Sequence, residues 1–216
     1  MKKILFATVI MSLILAMTGC GGGNNPPPAV ETQILSNAAY DGDIKFDAPN
    51  VFSVTQGNIP SVFAGIVPGT VSEYRAFLDF PLTGVGGIPG NAIINSATLD
   101  IFIDSISIQS VANSIPIRIE LVSFPPSTLS ELPALYFDRT NLTTLAFTTI
   151  NLPISRADLP RHVTVDVTSL MVEAQRRGLA NFQVRILEDD RFVYPGLIEI
   201  DDTTINRAPL LTVSYF

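Results

Sequence analysis

The chain has 216 residues, of which 47% are hydrophobic and 15% are charged, and its formal net charge at pH 7 is −7. A net negative chain repels the phosphate backbone of nucleic acids, so the composition argues against a nucleic-acid partner. A single cysteine and a single histidine rule out an intrachain disulfide and cannot supply the soft-ligand cluster of a transition-metal site.

The first twenty residues carry a targeting signal. A lysine pair precedes a 14-residue apolar run over residues 4–17, and two small residues separate this run from Cys20. Because about 20 apolar residues are needed to span a bilayer, the run predicts a cleaved secretory signal over residues 1–19 rather than a membrane span. The stretch resembles bacterial lipoprotein precursors, which implies a diacylglyceryl thioether on Cys20 and an acyl chain such as palmitate on its amine. An ordinary cleaved signal followed by an incidental cysteine is the alternative.

A doubly acylated cysteine would hold the protein on a membrane, because two or more chains bind stably where one binds marginally. In the resembling precursors, Asp after the lipidated cysteine retains the protein at the inner membrane, and here that residue is Gly21. We therefore expect the cell envelope, and the outer membrane rather than the inner. Residues 20–29 are rich in Gly, Asn and Pro and predict a flexible linker.

From residue 30 onward the apolar residues recur with a period of two, which is typical of half-buried strands. The clearest examples are residues 74–80 and 97–104. Shorter alternating or apolar segments predict further strands at residues 33–35, 42–46, 52–55, 115–121, 145–150, 162–167, 182–186, 197–200 and 210–215. Turn residues separate them, so the sequence predicts one all-β domain over residues 30–216, an antiparallel sandwich.

One segment, residues 168–177, predicts a short α-helix instead. Thr168 offers a capping hydroxyl, two arginines stand near the end, and Gly178 follows as a terminator. We expect its apolar residues Leu170, Met171 and Ala174 to cover the open end of the sandwich.

Five motifs occur in the order found in extracellular bacterial modules of the DNRLRE type. They are DGDI (41–44), YRAFLDF (74–80), IPGNAIINSATL (88–99), VDVT (165–168) and APLLTVSY (208–215). The chain resembles this family, which is grouped with carbohydrate-binding modules. The resemblance implies a jelly-roll sandwich that binds sugar polymers, with alginate-like acidic polysaccharides as the known kind of ligand. The chain departs from the family in having no tryptophan.

Four residues are candidate ligand contacts. Arg118 and Arg185 lie out of phase with the apolar residues of their strands, so we expect both on an outer sheet face, where guanidinium groups could clamp carboxylates. Tyr136 and Tyr194 lie in Pro-rich or acidic stretches expected to be loops and could stack on sugars. The alternatives are a solvated face that pairs with Glu120, and ordinary loop anchors.

Calcium is the metal ion that the acidic clusters would suit, because it prefers oxygen ligands. Asp41 and Asp43 are the candidate ligands, and further acidic residues occur at 188–190 and 201–202, all in predicted turns. No EF-hand spacing is present, so solvated turns with no cofactor are the alternative.

These observations predict a lipid-anchored envelope module that binds polysaccharide and is not an enzyme, since His162 has no evident nucleophile or acid partner in sequence. A structural or protein-interaction role without a sugar site is the second hypothesis. It is motivated by residues 51–71, which contain no charged side chain and could contact a partner or form a loop over the core. The oligomeric state stays open.

Overall fold

The computed structural model describes residues 28–109, 114–153, 160–189 and 195–216. The predicted signal peptide, Cys20, most of the predicted linker and Tyr194 lie outside these ranges. Within them the chain forms strands β1 Val30–Leu35, β2 Gly42–Asp47, β3 Val51–Gln56, β4 Ser61–Ile66, β5 Glu73–Pro81, β6 Ile94–Ile108, β7 Ser114–Val122, β8 Ala146–Pro153, β9 Arg161–Asp166, β10 Asn181–Glu188, β11 Gly196–Asp201 and β12 Leu210–Tyr215. Two α-helices are present in the same ranges, α1 Pro133–Phe137 and α2 Thr168–Arg176, with a 3-10 turn at Pro126–Thr128.

The described strands form one antiparallel sheet that curls around a core. Its main path is β1-β12-β6-β11-β4-β5-β10-β7-β8, while β9 pairs with β6 and β2 pairs with both β3 and β5. Ile34 of β1 and Ile150 of β8, at opposite ends of this path, both pack against the same apolar cluster. A flat sheet would hold these two strands far apart, so the sheet must curl. The all-β prediction is confirmed, and the finer two-layer jelly-roll arrangement stays a prediction.

The main core is built by the alternation seen in the sequence. Ala76, Leu78 and Phe80 of β5 are at most 1% exposed and face inward, while Phe77 and Asp79 point to the other side of the sheet. Alternate residues of β6, β7, β10, β11 and β12 contribute to the same cluster. Because side chains alternate across a strand, each of these strands has one face on the main core and one on the outside.

Helix α2 closes this core, as its apolar spacing predicts. Its buried side chains are Leu170, Met171 and Ala174. The predicted cap differs in detail, because the Thr168 side chain accepts a hydrogen bond from the backbone of β6, while Asp166 Oδ1 accepts the Thr168 N–H at 2.9 Å. Gly178, with φ of +65°, ends the helix as expected.

A second apolar cluster lies on the outer side of β5, β10 and β7. Residues 123–145, here called the covering layer, contribute its outer half, and the sheet with the β2–β3 hairpin contributes the rest. The buried members are Ile44, Phe77, Val122, Leu129, Tyr136, Phe137 and Leu142. This part of the sheet is therefore sealed on both faces.

Strands β4 and β5 separate at one point, and this seam positions several polar residues. They pair only at Gly65 with Tyr74 and Ile66 with Glu73, and from Ala76 onward β10 takes the place of β4 beside β5, while β2 occupies the other edge. At the seam Gly65 has φ of +116°, and a Cβ there would lie 2.1 Å from the carbonyl oxygen of Gly196. Only glycine allows this close approach of two backbones.

Each strand predicted from the sequence is present in the structure. The structure also contains β4, which the sequence did not predict. Its sequence SVFAGI lies inside the uncharged stretch 51–71, for which a loop was one expectation. Both of its faces carry apolar residues, so it lacks the polar and apolar alternation that marks the other strands. In the described ranges, no helix has the length and apolar character needed to cross a membrane.

Replacing Gly65 with Ala should lower the free energy of unfolding by about 2–4 kcal/mol, because the new Cβ meets the Gly196 carbonyl and the positive φ is strained. Gly69 is a matched control, since its φ is +79° but no atom lies within 4 Å of a Cβ there. Gly69→Ala should therefore cost only the backbone strain, about 1 kcal/mol. Urea unfolding of both variants measures the difference, and equal losses would contradict the close-approach argument.

Candidate functional site

Arg118 and Arg185, the arginines expected to face solvent, are buried. Both side chains leave their strands on the side opposite the main core, as the sequence phase predicts, yet Arg185 is 0% exposed and Arg118 is 8% exposed. The reason is the covering layer, which seals the outer face of β7 and β10. The prediction that these two arginines project into solvent is wrong.

Glu120 of β7 is the centre of the resulting ionic cluster. Arg185 donates to Glu120 Oε2 from Nε at 3.0 Å and from Nη2 at 2.7 Å. Arg118 Nε and Arg139 Nη2 lie 2.6 Å and 3.0 Å from Oε1. Burial alone would raise the pKa of Glu120, but the charge of Arg185 and the hydrogen bonds from Arg185 and Arg118 bring this pKa below its usual value. Glu120 is thus an ionised, fully engaged partner.

The arginines also fix the covering layer by its backbone. Arg185 donates to the carbonyl oxygens of Tyr136 at 2.9 Å and Leu142 at 3.3 Å. Arg75 donates to the carbonyl oxygen of Phe137, and its guanidinium lies 4.0 Å from the centroid of the Phe137 ring. These contacts satisfy carbonyls around α1 that would otherwise be buried without donors. The cluster therefore has a structural role.

Tyr136 does not offer an exposed ring either. It lies in helix α1 and not in a loop, it is 5% exposed, and its hydroxyl pairs with Thr128 Oγ1 at 2.6 Å. Tyr40, in contrast, is 38% exposed. It borders an open hollow of about 370 Å³ together with Ala39, Val54, Gln56, Ser127 and Ser130.

The predicted calcium ligands Asp41 and Asp43 lie at the seam between β4 and β5, buried rather than in a solvated turn. Asp43 Oδ2 accepts the N–H of Phe63 in β4 at 3.1 Å, and Asp41 Oδ1 accepts the N–H of Asp79 in β5 at 2.7 Å. Burial raises the pKa of Asp43 to about 6, against the opposing hydrogen bond from Phe63. The two carboxyl groups thus satisfy N–H groups on different strands.

The carboxyl group of Asp41 also interacts directly with the carboxyl group of Asp202, the residue that follows β11. Burial raises the pKa of Asp41 to about 6, and burial followed by the negative charge of Asp41 raises the pKa of Asp202 to about 8. The acidic pair at 201–202 is visible in the sequence, but its meeting with Asp41 depends on the fold. In the described ranges, no set of three or more His, Cys, Asp or Glu side chains is arranged to hold a metal ion.

A concave surface forms a groove on the outer face of β1, β12, β6 and β9. Its volume is about 540 Å³. The lining residues are Gln33, Leu35, Asp100, His162, Thr203, Thr204, Ile205, Asn206, Ala208 and Leu210. Amides, threonine hydroxyls and an acid thus stand beside exposed aliphatic side chains, of which Ile205 is 86% exposed. We refer to this surface as the groove.

His162 and its neighbours form one wall of the groove. His162 Nδ1 lies 2.9 Å from Asp100 Oδ2, an acid partner on the neighbouring strand that sequence reasoning missed. Its ring packs edge-on against Phe102 at 4.9 Å between centroids, and Arg207 lies 4.4 Å from the Phe102 centroid. The histidine side chain is nevertheless 49% exposed. It is a polar group held in place at the surface.

No protein-family model matches the chain, and no curated protein is significantly similar to it in sequence.

Replacing Arg185 with Met should destabilise the protein by about 3–5 kcal/mol, because Glu120 loses a principal buried partner and the covering layer loses two of its carbonyl contacts. Arg176→Met is the control, since Arg176 forms an exposed helix pair with Glu173, and this variant should leave the free energy of unfolding nearly unchanged. Urea unfolding compares the two. A loss below about 1 kcal/mol for Arg185→Met would contradict the structural role of the cluster.

Proposed function

We propose that the protein is a lipid-anchored, non-catalytic binding module of the bacterial cell envelope that binds polysaccharide in the groove. The lipoprotein-like signal ending at Cys20, and Gly21 after it, support an anchor at the outer membrane. The following Gly- and Pro-rich residues would let the folded domain reach material away from the lipid surface.

The groove is the observation that carries the sugar-binding part of the proposal. A pyranose ring presents hydroxyl groups at its rim and an apolar face, so its site needs hydrogen-bonding groups beside apolar surface. Asn206, Gln33 and His162 supply the hydrogen-bonding groups, and Ile205 and Leu35 supply the apolar surface. With the other outer face sealed by the covering layer, this face is where the described sheet can meet a long chain.

The charge of the groove favours a neutral polysaccharide over an acidic one. None of its described lining residues is Arg or Lys, and Asp100 adds a negative charge. Arg118 and Arg185, which were expected to clamp carboxylates, are both engaged by Glu120. An alginate-like polymer would therefore meet no cation in the lining, and the nearby Arg207 is already paired with Asp104 and Asp201.

The groove chemistry also supports binding without catalysis. A glycosidase of the common kind needs two carboxyl groups across the scissile bond, and Asp100 is the one acid among the described lining residues. His162 has its acid partner, but the hydroxyl groups in this lining belong to Thr203 and Thr204, and no hydrogen bond in the described ranges joins either of them to His162 as a base would require.

Affinity electrophoresis of the chain starting at Gly21, through gels with neutral polysaccharides or alginate, tests the proposal. One neutral polymer should retard the protein, and Asn206→Ala should weaken retention about five- to tenfold because one or more hydrogen bonds are lost. Asn91→Ala is the matched control, since Asn91 is an exposed asparagine in the turn before β6, away from the groove. Retardation by alginate alone, or equal effects of the two variants, would contradict the proposed site.

A second candidate function, protein interaction, is favoured by the edge strand β3. It pairs with β2 alone among the described strands, and its sequence VFSVTQ has no charge and no proline. Proteins usually protect an exposed sheet edge with charged residues or proline, because an unprotected edge can pair with a strand from another chain. Val51, at the start of β3, is 58% exposed.

If β3 mediates self-association, Val51→Lys should shift the protein toward monomer. The new lysine would lie opposite Asp47 in the β2–β3 register and so should not disturb the hairpin. Size-exclusion chromatography with light scattering over a concentration series measures the effect. A wild-type monomer at every concentration would remove the homo-oligomer version of this candidate.

A further inference from the structure

Three side chains near one end of the sheet present buried oxygen atoms that make no hydrogen bond of good geometry. These atoms are Ser36 Oγ, Asp41 Oδ2, Asp202 Oδ1 and Asp202 Oδ2. Asp41 and Asp202 are 0% and 1% exposed, so water does not replace the missing partners at the protein surface. Unpaired buried oxygens of this kind are rare in folded proteins because each is costly.

The three side chains converge from distant parts of the chain. Ser36 follows β1, and Asp41 precedes β2 and accepts the Gly57 N–H with its carbonyl oxygen. Asp202 follows β11, and its N–H donates to the carbonyl oxygen of Pro60 at 2.9 Å. The carboxyl groups of Asp41 and Asp202 contact each other, with Ser36 beside Asp41.

The surrounding charges do not compensate the two acids. Asp79, whose charge acts on Asp41, and Asp201, whose charge acts on Asp202, are also carboxylates. The guanidinium of Arg207 lies 3.8 Å from Asp201 and also contacts Asp104. Two buried carboxylates with no cation carry a large desolvation cost, which is removed only by protonation or by a bound cation.

We propose that Asp41, Asp202 and Ser36 bind a calcium ion. A single shared proton would join Asp41 Oδ2 to one oxygen of Asp202, and the Ser36 hydroxyl could donate to Asp41, but the other Asp202 oxygen would stay unpaired. A divalent cation would contact all four oxygens and balance two negative charges. Calcium suits this set because it takes irregular arrangements of oxygen ligands and completes its shell with water or backbone carbonyls.

The site would also support the groove. Leu35 and Thr203, which line the groove, are the chain neighbours of Ser36 and Asp202. A bound ion would therefore fix the end of β1 to the loop that follows β11. The ion can be tested with calcium alone, so the result does not depend on whether the groove binds sugar.

The test is thermal unfolding of the full chain in non-ionic detergent, after chelator treatment, with and without added calcium. Calcium at about 100 times its dissociation constant should raise the Tm by roughly 5–10 °C. Equilibrium dialysis should find one calcium ion per chain. No Tm shift and no bound calcium would overturn the proposal in favour of a proton-sharing acid pair.

Two variants locate the site. Asp202→Asn should abolish the calcium-dependent Tm shift and raise the Tm in chelator, because the asparagine amide can donate to Asp41. Asp43→Asn is the matched control, since Asp43 engages Phe63 and not the unpaired oxygens, and it should keep the calcium shift. Loss of the shift in Asp43→Asn but not in Asp202→Asn would place calcium elsewhere and falsify the assignment.

Discussion

Glu120 lies on the side of β7 that faces away from the main core, at a place where the covering layer excludes water. An ionised carboxylate there is tolerated only because three guanidinium groups meet it, and Arg185 is the most deeply buried of them. Arg185 also donates hydrogen bonds to backbone carbonyls of the covering layer. The same side chain therefore neutralises Glu120 and attaches the layer to the sheet. Removing either partner would leave a buried charge, and removing Arg185 would also remove two hydrogen bonds to the covering layer.

This arrangement makes the two outer surfaces of the sheet unequal. The outer face of β5, β10 and β7 is closed by aromatic and aliphatic side chains, whereas the outer face of β1, β12, β6 and β9 keeps polar side chains and the groove. The arginines that could have bound an acidic polymer are used inside the protein. These buried arginines are therefore not available to bind an acidic ligand.

Carboxylates have a second structural use where the sheet changes partners. Asp43 and Glu188 accept backbone N–H groups of β4 that find no strand partner at the seam, and Asp41 does the same for β5. Asp202 differs, because both of its carboxylate oxygens stay without a donor. Asp43, Glu188 and Asp41 therefore complete the hydrogen bonding of the backbone, whereas the Asp202 carboxyl group has both oxygens available for an ion.

The sequence by itself determined every described strand except β4, the helix α2 and the side of each strand on which Arg118 and Arg185 lie, because alternation and capping are local properties of the chain. The sequence could not show that the outer side of β7 and β10 is covered. The covering layer comes from residues 123–145, and its position depends on packing between segments that are distant in the chain. In the same way, the sequence showed the acidic pairs near 41 and 201, but only the tertiary structure brought Asp41 to Asp202. Strand β4 escaped prediction because both of its faces carry apolar residues, which removes the periodic signal. Local pattern therefore fixes which elements form, and long-range packing decides which polar groups remain available for function.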